Sequence, residues 1–376
     1  SRTRRGELIS RSHHLLLALL VAAAAVVHVW FFALFDLPVL DHEFLHTGHG
    51  AVWSYHQLQN GQLLDYLQGA FTYTGERQPQ LISRLMGLAC HLFGLDRFVM
   101  RMVNLPFLVL LIISTYLLGK AVWSSRVGLL AAFTATAMPQ LIGHSRRGEL
   151  CFFEAALLVT ALLLLVRSEW LARRRPAVGF GLLLGLTLHT HEVALFYVAI
   201  ILAPLALGVV LRGTRAQRIN LCVVAAITAL FFAAFYPAAL LNPQGPQAMQ
   251  LYPGAGPYPS FVQGVLDNLG NYARQMASGV GVFNLCLLPA ACALLLLQAR
   301  RASWRLSALK PALLMFALIV FPFWARVVGT VLFKEFDTTE HLVPSYALLA
   351  LLCAFVASAV PYRLGDAALL AVNAPT

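Results

Sequence analysis

The chain has 376 residues, 59% of them hydrophobic and only 11% charged, with a formal net charge of +11. Soluble domains carry about 25% charged residues, so a globule bathed in water is excluded. The six cysteines sit in or beside apolar segments without CxxC spacing, and they read as packing residues rather than a disulfide framework or zinc knuckle.

Long apolar runs, beginning with HHLLLALLVAAAAVVHVWFFALF, mark an all-α polytopic membrane protein, a single transmembrane domain over residues 1–376 with no soluble appendage and no repeat. Ten spans are expected, at 14–35, 102–119, 127–143, 150–167, 176–190, 192–211, 219–241, 281–298, 311–331 and 343–361. The first is read as retained rather than as a cleaved signal, because it is long and lacks a cleavage site. The fifth is short.

Basic residues set the orientation. With the N-terminus cytoplasmic, the inner segments collect about two thirds of the 27 Lys and Arg, and all of the 16 carboxylates except Glu7, Glu169 and Asp366 fall outside. The net charge therefore reads as anchoring against membrane lipids and not as a nucleic-acid surface.

Two long connections lie on the outer side, 36–101 and 242–280. The first holds PQLISRLMGLACHLFGL, too short and too interrupted by Arg84 and His91 to span comfortably, and it is expected to form an interfacial or re-entrant helix. The second is rich in Pro and Gly and reads as a mobile loop of the kind that covers sites.

The stretch DHEFLHTGHG, residues 41–50, contains His42-Glu43-x-x-His46, a zinc-protease spelling. It stands just beyond the first span instead of inside one, and Gly48 and Gly50 weaken the helix that would hold two ligands. A protease is set aside on those grounds. Further on, GHSRRGEL (143–150) places Arg146, Arg147 and Glu149 at the outer end between the third and fourth spans. Forked guanidinium donors suit phosphate, although lipid headgroups would suit the same arginines.

HTHE (189–192) follows the short fifth span. About fifteen residues rise roughly 22 Å against an apolar core of about 30 Å, so this turn is expected below the outer surface, where polar groups line cavities. His189 or His191 with Glu76 or Glu192 could bind a divalent cation, His191 and Glu76 being the pair put forward, and a satisfied polar helix break is the alternative.

The run from LDHEF through NGQLLDYL, GERQPQLI, LFGLDRFVMRMVNLPF, YLLGKAVWSSRVGLLAA and HSRRGELCFFEAALL resembles the GT-C membrane glycosyltransferases, and most closely the branch with protein O-mannosyltransferases and lipid A aminoarabinose transferases. The resemblance rests on an acidic pair after the first span (Asp41, Glu43) and a Pro turn (Gln78-Pro79-Gln80-Leu81). It continues with Phe93-Gly94 before Arg101, the Gly-rich span GFGLLLGLTLHTHEVALFYV, and EHLVPSYALLALL near the end. Three positions depart from the family pattern: His42 splits the acidic pair, His191 stands where the family carries Lys, and Glu340-His341 replaces a closing Arg-Tyr.

The resemblance implies a GT-C-like helical bundle that moves a sugar from a polyprenyl-phosphate donor to a glycan, lipid or protein acceptor on the outer face, with a divalent metal ion as an optional cofactor. In that reading Asp41 or Glu43 is the catalytic base and Glu149 the second acid. Arg77, Arg84, Arg101, Arg146 and Arg147 hold phosphate. Direct displacement needs one carboxylate to take the acceptor proton and cations to neutralise the leaving phosphate, unlike the paired carboxylates of glycosidases. The membrane would be a bacterial inner (plasma) membrane. A non-catalytic assembly subunit and a lipid or glycan transporter are the remaining readings.

Overall fold

The computed structural model describes residues 2–34, 47–72, 79–147, 149–191, 193–241, 313–322 and 342–359, with scattered positions between 263 and 294. Asp41, Glu43, Glu76, Arg77, Glu340 and most of 242–310 lie outside the described residues, as does the His42-Glu43-x-x-His46 motif.

All regular elements among the described residues are helices. In chain order they are α1 (Arg2–Leu34), α2 (His49–Gln59), α3 (Leu63–Phe71), α4 (Leu81–Phe93), α5 (Arg97–Met102), α6 (Asn104–Val122) and α7 (Ser125–Ala137). They continue with α8 (Pro139–Ser145), α9 (Leu150–Arg167), α10 (Arg174–Leu188), α11 (Ala194–Arg212), α12 (Arg215–Leu241), α13 (Leu313–Pro322) and α14 (Val343–Ala359). Five of these segments are long and apolar enough to cross a membrane, among them Ser12–Leu34 within α1 and the joined α5–α6 segment Arg97–Val122.

Local chemistry sets the boundaries. Asp96 caps α5 by accepting from Phe98 N at 2.6 Å, and Ser124 caps α7 by accepting from Val127 N at 3.2 Å. The third expected span, 127–143, is broken: Met138 is extended, and Pro139 takes the first position of α8. Proline cannot donate into a continuing helix and pushes the residue before it out of the α region, so the chain ends α7 and re-enters as α8. The fifth span is as short as expected, with 15 residues in α10. A helix forms where one was expected in the first outer connection, as α4.

α9 is the centre of the bundle. It packs against α6, α10 and α14, and its apolar stretch is 78% buried against 11% for α1. α1 lies at the edge and turns Leu15, Leu19, Val26 and Trp30 outward, the surface expected toward lipid. α6 and α7 form a close antiparallel pair: a Cβ at Gly119 would stand 2.7 Å from the Gly128 Cα, so the small residues permit the approach.

α2, α3 and α4 build a platform outside the bundle. Ile82 and Met86 on one face of α4 pack with Ala51 against Leu150 and Phe153 at the start of α9. Phe71, the last residue of α3, meets His189 and Phe231 edge-on at 5.7 and 6.1 Å. The platform is thereby pinned to α9 on one side and to α10 and α12 on the other.

Candidate functional site

The densest polar group is the turn from α8 into α9. Glu149 adopts extended backbone as the residue before α9, which directs its side chain back over the end of α8. There its Oε2 meets His144 Nδ1, and its Oε1 lies 3.6 Å from Arg147 Nη1. His144 and Glu149 are both buried, whereas Arg147 is half exposed. The second ring nitrogen of His144, Nε2, is buried and makes no hydrogen bond. Cys151, one step into α9, completes a triad in which one ligand atom from each of His144, Glu149 and Cys151 lies within 4.8 Å of the others.

α1 and α6 hold this turn in place. His28 on α1 bonds Ser145 Oγ through Nε2 at 2.6 Å and Ala24 O through Nδ1 at 2.9 Å. Asn104, the first residue of α6, donates from Nδ2 to Ser145 O at 2.8 Å. The Arg146 guanidinium stacks over the Phe31 ring at 4.1 Å, and its burial pushes its pKa below the ordinary arginine value.

The structure brings Arg147 and Glu149 together, with Arg146 next to them in the turn and stacked on Phe31. It adds His144 and Cys151, which sequence reading missed; His144 sits five residues before Glu149, a spacing that a helix end followed by a turn folds into contact. The remaining arginines lie elsewhere. Arg101 is buried at the end of α5. Arg84 points away from α9, because two residues from Ile82 is more than half a helical turn. It is 1% exposed, with its guanidinium 4.5 Å over the Trp53 ring, Nη1 on Gln57 Oε1, and Nε and Nη2 without hydrogen bonds. Among the described residues it faces no carboxylate, and burial lowers its pKa.

The described part of the His-Thr-His-Glu turn is buried as expected: His189, Thr190 and His191 are 0%, 0% and 2% exposed, and Glu192 lies outside the described residues. Tyr236 of α12 donates to Leu188 O and His191 O at 3.1 and 3.4 Å, and His189 Nε2 bonds Phe231 O at 2.9 Å. His191 accepts from Val193 N, and its Nδ1 lies 3.9 Å from Oε2 of Glu154, a fully buried carboxylate on α9. Glu76, the expected partner of His191, also lies outside the described residues; among the described residues Glu154 is the acid within reach of His191.

No protein family and no curated protein matches the chain. Solved structures do. ArnT from Cupriavidus metallidurans superimposes with a TM-score of 0.62 at 19% identity, covering 92% of this chain and 60% of that one. The same enzyme bound to undecaprenyl phosphate gives 0.61 at 16%, covering 92% and 61%. The Archaeoglobus fulgidus oligosaccharyltransferase gives 0.56 at 17%, covering 96% and 52%, and it has also been crystallised with zinc and sulfate. The chain therefore shares the helical-bundle fold of these membrane proteins and spans less than two thirds of their length.

Proposed function

We propose that this chain is a membrane glycosyltransferase of the GT-C type, taking its sugar from a polyprenyl-phosphate carrier and passing it to an acceptor hydroxyl on the outer face. The observation that carries the reading is the α8–α9 turn. Two arginines and a buried His–Glu pair meet at one end of the bundle, on a fold whose neighbour ArnT was crystallised bound to undecaprenyl phosphate.

In the proposed step the acceptor oxygen attacks the anomeric carbon as its proton passes to the Asp41 carboxylate, with Glu43 as the alternative base. The bond from that carbon to the phosphate oxygen breaks, and its electron pair leaves with polyprenyl phosphate. A single displacement inverts the carbon. Phosphate is a stable leaving anion and needs cations rather than a general acid. Arg146 and Arg147 supply them, Arg146 with a guanidinium already fixed on Phe31.

His144, Glu149 and Cys151 offer nitrogen, oxygen and sulfur ligands of the kind zinc accepts, with His144 Nε2 otherwise unbonded; a divalent cation held there would add positive charge beside the leaving phosphate. One observation favours the non-catalytic alternative. His191 stands where the resembled family carries Lys, and a buried acid faces it.

Purified protein in lipid nanodiscs, given a polyprenyl-phosphate donor with a radiolabelled sugar and a lipid extract as acceptor, should release label into a new product. Retention of bound donor without release over many hours would favour the non-catalytic subunit and contradict the transferase.

A further inference from the structure

Between α9 and α10 three consecutive residues, Glu169, Trp170 and Leu171, hold positive φ of 52°, 59° and 74°. L-residues enter that region singly, and usually as Gly, Asn or Asp; none of these is present. The turn survives because its surroundings over-determine it. Ser168 Oγ donates to Leu165 O at 2.6 Å and accepts from Leu171 N at 2.9 Å, and Arg173 N closes back on Ser168 O at 2.8 Å. From α12, Asn220 Nδ2 donates to Leu171 O at 2.7 Å and Gln217 Nε2 to Trp170 O at 3.0 Å. The Leu171 side chain is sunk in the core. The strained turn is therefore locked to the first turns of α12.

What the lock assembles is charge. Arg173, Arg174 and Arg175 leave the turn exposed, and Arg212, Arg215 and Arg218 surround the locking Gln217, exposed as well. Glu169 is the one carboxylate in these two connections, and it pairs with Arg173. Both connections terminate spanning helices at the end of the bundle opposite Glu149, since α9 runs from Leu150 to Arg167. As the ends of segments long and apolar enough to cross a membrane, they are expected at the depth of lipid headgroups, and the last turn of α11 carries Leu211, 67% exposed, directly beside Arg212.

We propose that this end is a binding site for anionic phospholipid headgroups, with guanidinium forks on the phosphates and the neighbouring apolar residues along the acyl chains. Free phosphate would satisfy the guanidiniums and leave the apolar collar unused. The rigid turn presents the arginines already oriented, which lowers the ordering cost of binding. The inference is independent of the proposed transferase activity.

The test uses the full chain purified in neutral detergent, titrated separately with phosphatidylglycerol, phosphatidylcholine and inorganic phosphate. Readouts are the thermal unfolding midpoint and the lipid retained in native mass spectrometry. Phosphatidylglycerol should raise the midpoint and remain bound, less so at high salt, while the other two should do neither. Changing Arg174, Arg175 and Arg215 together to Gln should weaken phosphatidylglycerol binding by on the order of 10²-fold, from about a fivefold share for each cation near the surface. Lys at the same three positions should keep most of it. If the Gln variant does not fold, the lipid preference of the unmodified chain and of the Lys variant decides. Equal response to phosphatidylcholine, a matching response to inorganic phosphate, or unchanged binding by a folded Gln variant overturns the proposal.

Discussion

His28 on α1 and Ser145 at the end of α8 are joined through Nε2 and Oγ at 2.6 Å, 117 positions apart in the chain. This contact ties the peripheral first helix to the turn that carries Arg146, Arg147 and Glu149. His28→Ala should remove a buried hydrogen bond and leave Ser145 less constrained, at a cost of about 1–3 kcal/mol. The expected outcome is a lower unfolding midpoint in detergent and weaker binding of undecaprenyl phosphate. An unchanged midpoint would show that α1 does not brace the turn.

Arg84 and Gly69 form a matched pair. A Cβ at Gly69 would fall 2.6 Å from the guanidinium carbon of Arg84, so Gly69→Ala should overpack the platform and cost about 1–3 kcal/mol. Arg84→Met should be close to neutral or stabilising, because a buried cation facing no acid among the described residues gives up little when replaced by an apolar side chain of similar length. Thermal unfolding of the two variants checks both signs; a large loss from Arg84→Met would mean that the charge is used.

Metal content separates two candidate sites. Purified protein should bind zinc through the triad of His144, Glu149 and Cys151, and His144→Ala or Cys151→Ser should abolish it. A His42→Ala, His46→Ala double variant should retain it, since that pair is read as a chance protease spelling. Elemental analysis by plasma mass spectrometry decides: zinc lost with His42 and His46 and kept without His144 would reverse the assignment.

Much of this was legible before any coordinates. Spans are one-dimensional features, a length of apolar residues between basic ends, and the short α10 with a buried His-Thr-His turn followed from counting residues against bilayer thickness. Pro139 carried the signal for the break between α7 and α8, but the apolar run on both sides masked it. Glu154 was hidden in the same way, as a lone acid in CFFEAALL whose partner His191 comes from the turn between α10 and α11. Arg84 read as a phosphate ligand because its burial under Trp53 and Tyr66 is imposed by α2 and α3 rather than by its own helix. Cys151 read as packing because its companions arrive only when the turn at Glu149 folds back.

Sidedness is open to a direct check. Alternation of the helices puts the α6–α7 and α11–α12 connections at one end of the bundle, and from the basic residues we propose that this end is cytoplasmic. Single cysteines at Ser125 and Gly213 should resist a membrane-impermeant thiol reagent in intact cells, whereas cysteines at Thr74 and Gly254 should react. Labelling at Ser125 from outside would invert the orientation.

The central claim is that a carboxylate beyond the first span drives sugar transfer from a polyprenyl-phosphate donor beside Arg146 and Arg147. Release of free polyprenyl phosphate, followed by phosphorus NMR in single-turnover mixtures, tests it most directly. The unmodified protein should release it, Arg146→Ala should weaken donor binding as well as rate, and Asp41→Asn should slow release by roughly 10²–10⁴-fold with donor binding intact, the usual worth of a general base. Release at the unmodified rate by both Asp41→Asn and Glu43→Gln would contradict the account.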